Sequence, residues 1–107
     1  MGYLDNTVEY GFGQLGSGFL DDTDTFLPPS GLVIVAITVV DACKFTLLTD
    51  DDSQGIAYIS TITPVAANGT NAENISSTEV FPTGITIYGR YTAVTLSQGS
   101  VICYFGR

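Results

Sequence analysis

Side chains able to do chemistry are scarce in this 107-residue chain, and their spacing speaks against most reactions. Histidine is absent, which removes the commonest general base and metal ligand. Cys43 stands next to Lys44, and a thiolate nucleophile does need a base or cation beside it. Neighbours on a strand point to opposite faces, however, so this pair fails on geometry. Asp50, Asp52, Gln54 and Gly55 resemble the opening of a calcium loop, with oxygens at alternating positions before a glycine. Such a loop needs a bidentate glutamate at its twelfth position, where Thr61 stands, and flanking helices that are missing. The segment reads as a solvated acidic turn. Asp21, Asp22 and Asp24 form a second acidic group, available at most as ligands at a subunit contact. Paired carboxylates also cleave sugars, but these acids lie mostly in turns and the chain has no tryptophan to stack on a sugar. The expectation is a protein that is not an enzyme and holds no cofactor or metal.

Recognition is better supplied than catalysis. Tyr88 and Arg90 are two apart on a strand and so share a face, and both types anchor interfaces. The bland alternative has Tyr88 packing across strands and Arg90 paired with a carboxylate of its own chain or a neighbour's. Near the N-terminus, Tyr3, Tyr10, Phe12 and Phe19 are set among glycines and are further candidate contact residues. Asn68-Gly69-Thr70 and Asn74-Ile75-Ser76 match the glycosylation sequon, which matters only on a eukaryotic secretory route; here they read as loop.

Composition narrows the partners. Eleven acidic residues face only Lys44, Arg90 and Arg107, for a net charge of -8. That balance repels phosphate backbones and anionic lipid, so nucleic acid and membrane are excluded as expected partners. Charged residues make up 13% of the chain, about half of the ~25% usual in globular domains. Either Thr, Ser and Asn cover the surface, or other subunits cover part of it. Leu32–Val40 is the most apolar run but is far shorter than the roughly twenty residues of a membrane span. Met1–Leu20 has no basic start typical of a secretory signal, and Asn6 breaks the myristoylation pattern. The protein is expected to be made and used without membrane insertion. Cys43 and Cys103 suffice for one disulfide, but without an export signal they are expected to be reduced.

The elements that must position these residues are strands. Residues 1–29 are glycine-rich, which opposes both helix and regular strand. They read as an extended N-terminal arm needing a surface, its own sheet or a neighbour's, to lie on. Pro28-Pro29-Ser30-Gly31 closes the arm with turn chemistry, and residues 30–107 read as a single β domain. Leu32–Val40 is β-branched and apolar on both faces, which predicts a strand covered on both sides. A shorter strand is expected over Lys44–Thr49, a turn over Asp50–Gly55, and another strand over Ile56–Ile62 with Ile56, Tyr58, Ser60 and Ile62 on one face. Pro64–Thr78 is a polar loop. Ile85–Leu96 and Val101–Phe105 flank Ser97-Gln98-Gly99-Ser100 as a predicted hairpin, with Gly89 marking a bulge or bend. The pattern predicts an all-β fold, a compact antiparallel β-sandwich or barrel with a glycine-rich N-terminal arm.

The C-terminal third also carries a resemblance. The run Val80-Phe81-Pro82-Thr83-Gly84-Ile85-Thr86-Ile87-Tyr88-Gly89-Arg90-Tyr91-Thr92 leads into a Val-Thr-Leu strand and Val101-Ile102-Cys103-Tyr104-Phe105-Gly106. With Pro29-Ser30-Gly31, Val35-Ala36-Ile37 and Phe45-Thr46-Leu47-Leu48-Thr49, it resembles a family of small virion structural proteins of tailed bacteriophages, notably marine cyanophages. The resemblance spans about Pro28 to Gly106, weakest over Ala66–Thr78. It implies a non-catalytic part of the particle, a capsid decoration (cement) protein that stabilises the head shell as a homo-oligomer. The implied partners are the major capsid protein or other virion proteins, and the implied location is the virion, assembled in the host cytoplasm. A tail, fibre or adaptor component and a carbohydrate- or receptor-binding module are the alternatives.

Overall fold

A computed structural model describes residues 15–107. They form an antiparallel all-β structure of three strands, β1 (Ser17–Leu20), β2 (Val33–Asp50) and β3 (Thr86–Gly106), in the order β1-β3-β2. The turn at Pro29–Leu32 forms as its residues dictate, with the Leu32 N–H donating to the Pro29 carbonyl at 3.0 Å. From there β2 runs unbroken to Asp50, so the two strands expected over Leu32–Val40 and Lys44–Thr49 are one. Asp41, Ala42 and Cys43 lie between them with no glycine or proline to turn the chain, and the β-branched content favours continuation.

β3 is the larger departure from expectation. The hairpin centred on Ser97–Ser100 does not form; the chain passes straight through those residues as strand. Gly99 takes φ +82° there, so the signal taken for a hairpin turn is an irregularity within one long strand. β3 pairs instead with β2, from Val33 opposite Gly106 to Asp50 opposite Tyr91. Its first residues return to the other edge of β2: Ala36 faces both Tyr104 and Tyr88, and Ile37 faces both Cys103 and Ile87. The N-terminal half of β2 is thus flanked on both sides by parts of the same strand.

Inward residues alternate along β2 at Ile37 and Val39 and again at Cys43 and Phe45, with Asp41 between them exposed. The alternation changes phase at Ala36–Ile37 and again before Leu48, near register shifts between Ile34 and Ala36 and between Phe45 and Leu47. A shift of one residue exchanges faces, so these irregularities keep apolar chains inward as the strand bends. The core comprises Ile34, Ile37, Val39, Phe45 and Leu48 of β2 against Tyr91, Val94, Leu96, Val101 and Cys103 of β3. β1 adds Leu20 and pairs with β3 from Ser17 opposite Tyr104 to Leu20 opposite Val101. Part of the glycine-rich segment is therefore a regular strand on the protein's own sheet. Phe26 follows it with a two-way bridge to Val94, and its ring stacks on Phe105 at 6.0 Å.

The strand expected over Ile56–Ile62 is absent. Its backbone bonds go elsewhere. The Tyr58 N–H donates to Asp50 Oδ2 at 3.1 Å, the Ile62 N–H to Ser60 Oγ at 3.1 Å, and the Thr61 N–H to the Leu48 carbonyl at 3.0 Å. The Asp50 and Ser60 side chains and the Leu48 carbonyl offer the backbone these alternatives to a ladder. The connection from Asp51 to Ile85 is irregular apart from a short 3₁₀ turn at Ala66–Asn68 and an isolated bridge joining Phe81 to Cys43.

Candidate functional site

The acidic turn and Arg90 meet at the end of β2. The Arg90 guanidinium lies 3.3 Å from Asp51 Oδ2 through Nη2, and Nη1 donates to the Arg107 carbonyl. The Asp51 N–H in turn donates to the Arg90 carbonyl at 2.7 Å. Ser53, through side-chain and backbone hydrogen bonds, is the main reason the Asp51 carboxyl sits below the usual range; Arg90 lowers it further. Arg90 is thus engaged by a carboxylate of its own chain, and its partner is the turn that the sequence suggested for calcium. Among the described residues no group of three or more His, Cys, Asp or Glu is placed to hold a metal ion.

Tyr91 anchors this corner from inside. Its ring is buried, meets Tyr58 edge-on at 6.4 Å, and its hydroxyl donates to the Ile59 carbonyl at 2.9 Å. Burial raises its ionisation well above the usual phenol range. A Cβ at position 89 would lie 2.8 Å from the Tyr91 ring, so glycine there clears the space the ring occupies. Tyr88, on the opposite phase, is 60% exposed. Phe19 on β1 is also exposed, 59%, but lies opposite Ile102, away from Tyr88, which lies opposite Ala36. Tyr3, Tyr10 and Phe12 fall outside the described residues. Of the sequence candidates, then, Phe19 and Tyr88 present apolar surface, and Arg90 is held in an intramolecular ion pair.

The thiols are ordinary core groups. Cys43 and Cys103 are free and fully buried, and desolvation pushes them up to about 11 and about 12 respectively. A thiol so raised supplies almost no thiolate at neutral pH.

The surface feature that sequence reasoning missed lies in the connection after β2. Ile56, Ile59, Ile62 and Val65 are each about half exposed, and Ile56 and Ile62 do not share the face of a strand that their alternation predicts. Ser60, Thr61 and Pro64, interleaved among them, were the available signal against that strand. Ile56 and Val65, with Ala57 and Ala67, line one shallow depression of about 120 Å³, bounded by Asp52 and Gly55.

Comparison of the chain with protein-family models, with curated proteins and with solved structures found no match.

Proposed function

We propose that this protein is a structural component of a bacteriophage virion, a capsid decoration protein that binds the outer face of the head shell and stabilises it. The observation that carries the reading is a β framework with few charges that leaves aliphatic side chains half exposed in one connection, Ile56, Ile59, Ile62 and Val65. Exposed aliphatic surface of this kind, with Ile56 and Val65 lining one depression, is useful to a protein that lives in an assembly. The resemblance of Val80–Thr92 and Val101–Gly106 to tailed-phage virion proteins supports the same assignment. An acidic surface also suits the outside of a particle, where affinity for DNA is harmful. The thiols held protonated, and the basic side chain of Arg90 committed to Asp51, fit a non-catalytic role.

The double pairing of β2 with the two ends of β3 supports a small barrel, closed by the coiling of two long strands. The arrangement pairs both edges of the N-terminal half of β2, leaving fewer edges to recruit further strands. A rigid unit of this form suits a decoration protein that must not polymerise through its edges.

The deciding experiment is co-sedimentation of the purified protein with undecorated mature capsids. Saturable binding at a fixed symmetric ratio to the capsomers is the expected result. Absence of binding at micromolar concentration by folded protein refutes the decoration role and favours a tail, fibre or adaptor component. The depression described above is lined by no aromatic ring, so nothing at that position favours a sugar-binding module.

A further inference from the structure

We propose that the depression lined by Ile56 and Val65 is a docking surface for a protein segment presenting an aliphatic side chain beside a lysine or arginine. The inference rests on the virion reading and specifies the chemistry of the partner surface. Ile56 and Val65 are each 55% exposed and line the same depression with Ala57 and Ala67. Scattered exposed aliphatic residues need no explanation, whereas a contiguous group rimmed by polar residues marks an interaction site. Its volume of about 120 Å³ suits one aliphatic side chain and falls below the several hundred Å³ of small-molecule pockets.

Charge selects the occupant. Asp52 lines the same depression. Its neighbours in the turn are committed, Asp50 to the Tyr58 N–H and Asp51 to Ser53 and Arg90. Among the described residues the Asp52 carboxylate has no ion-pair partner of its own. A second copy of the chain is a poor source of one. Each copy has three basic residues against eleven acidic ones, and Arg90 is already engaged. A contact between two copies at this surface sets acid against acid, a penalty that grows at low salt. A partner with a basic rim around an apolar anchor is complementary on both counts.

The test is an NMR titration of ¹⁵N-labelled full-length protein with three capped hexapeptides. All three share the same two leucines and differ in carrying two arginines, two glutamines or two glutamates. The arginine peptide is expected to shift the amides of Gly55, Ile56, Ala57, Val65 and Ala67, and the glutamate peptide to leave them unmoved. Asp52→Asn should weaken arginine-peptide binding by about three-fold, the size of one exposed charge pair. Ile56→Ser, at an exposed position, should abolish binding while the rest of the spectrum is retained. Equal shifts with all three peptides, shifts elsewhere, or none at millimolar peptide overturn the proposal. Concentration-dependent shifts of these amides in protein alone would identify a second copy as the occupant, and so also overturn it. Failure here is separable from failure of the virion role. Protein that pellets with capsids but ignores the arginine peptide refutes this surface alone.

Discussion

Gly99 shows how a single residue permits the long β3 strand. Its φ of +82° is a region that side-chain-bearing residues rarely adopt. A Cβ there would also collide with the Ala42 carbonyl and approach the Asp41 carbonyl and Cys43 Cα at 2.7 Å. All three are backbone atoms and cannot turn aside. Gly99→Ala should therefore destabilise by at least about 3 kcal/mol, combining strain and overpacking. Gly84→Ala, at φ +96° but facing open space, should cost only about 1–2 kcal/mol. Urea midpoints of the two variants measure the difference. The buried thiols give a second residue-scale prediction. Their folded pKa values, about 11 and about 12, lie above the ordinary thiol value of about 8.5. Burial favours the neutral form, so the contribution to stability is complete below the unfolded value. It is lost as pH rises through the folded values, and the unfolding midpoint should fall in that alkaline window. Cys103→Ala should remove part of that slope. Both thiols of the native protein should resist a disulfide reagent at pH 8 and react at once in denaturant.

At the scale of elements, the long connection between β2 and β3 is fastened at a few points. Phe81 exchanges two backbone hydrogen bonds with Cys43, at 3.0 and 2.8 Å, and sets its ring edge-on to Phe45 at 5.2 Å. Ile75 packs against the core and donates its N–H to the Ser60 carbonyl at 2.7 Å. Phe81→Ala removes the aromatic contact and part of the apolar cover over β2. It should cost about 2–3 kcal/mol, below the full-burial range because Phe81 is only partly buried. Native-state hydrogen exchange should then quicken at the Cys43 and Phe81 amides. The central β2–β3 amides, at Ile37 and Cys103, should keep exchanging only through global unfolding.

For the whole molecule, the dominant contact is between two strands that the intervening chain holds far apart in sequence. The ladder from Val33–Gly106 to Asp50–Tyr91 closes from its nearer end, and every pair spans the connection after Asp50. Loop-closure entropy must be met before those pairs stabilise anything. Refolding is therefore expected on the millisecond-to-second scale typical of nonlocal β topologies. Stopped-flow refolding by tyrosine fluorescence measures it. Complete refolding within microseconds would contradict this topology.

Residue types alone carried much of this account. The β-branched run from Leu32 to Val40 and the turn signals at Pro28–Gly31 and Asp50–Gly55 determined an all-β chain. Lack of histidine removed the commonest general base, and strand geometry set Cys43 apart from Lys44. Tertiary structure decided the rest, because pairing is a matter of which strand lies alongside, and periodicity records only which face is apolar. Ser97–Ser100 has the composition of a hairpin turn, yet β2 offers β3 a longer partner, and Gly99 serves as an irregularity instead. Ile56–Ile62 alternates like a strand, but Asp50, Ser60 and Leu48 accept the amides of Tyr58, Ile62 and Thr61. That competition leaves Ile56 and Val65 on the surface beside Asp52. Alternation alone cannot reveal it, since two of the bonding partners, Asp50 and Leu48, lie on β2.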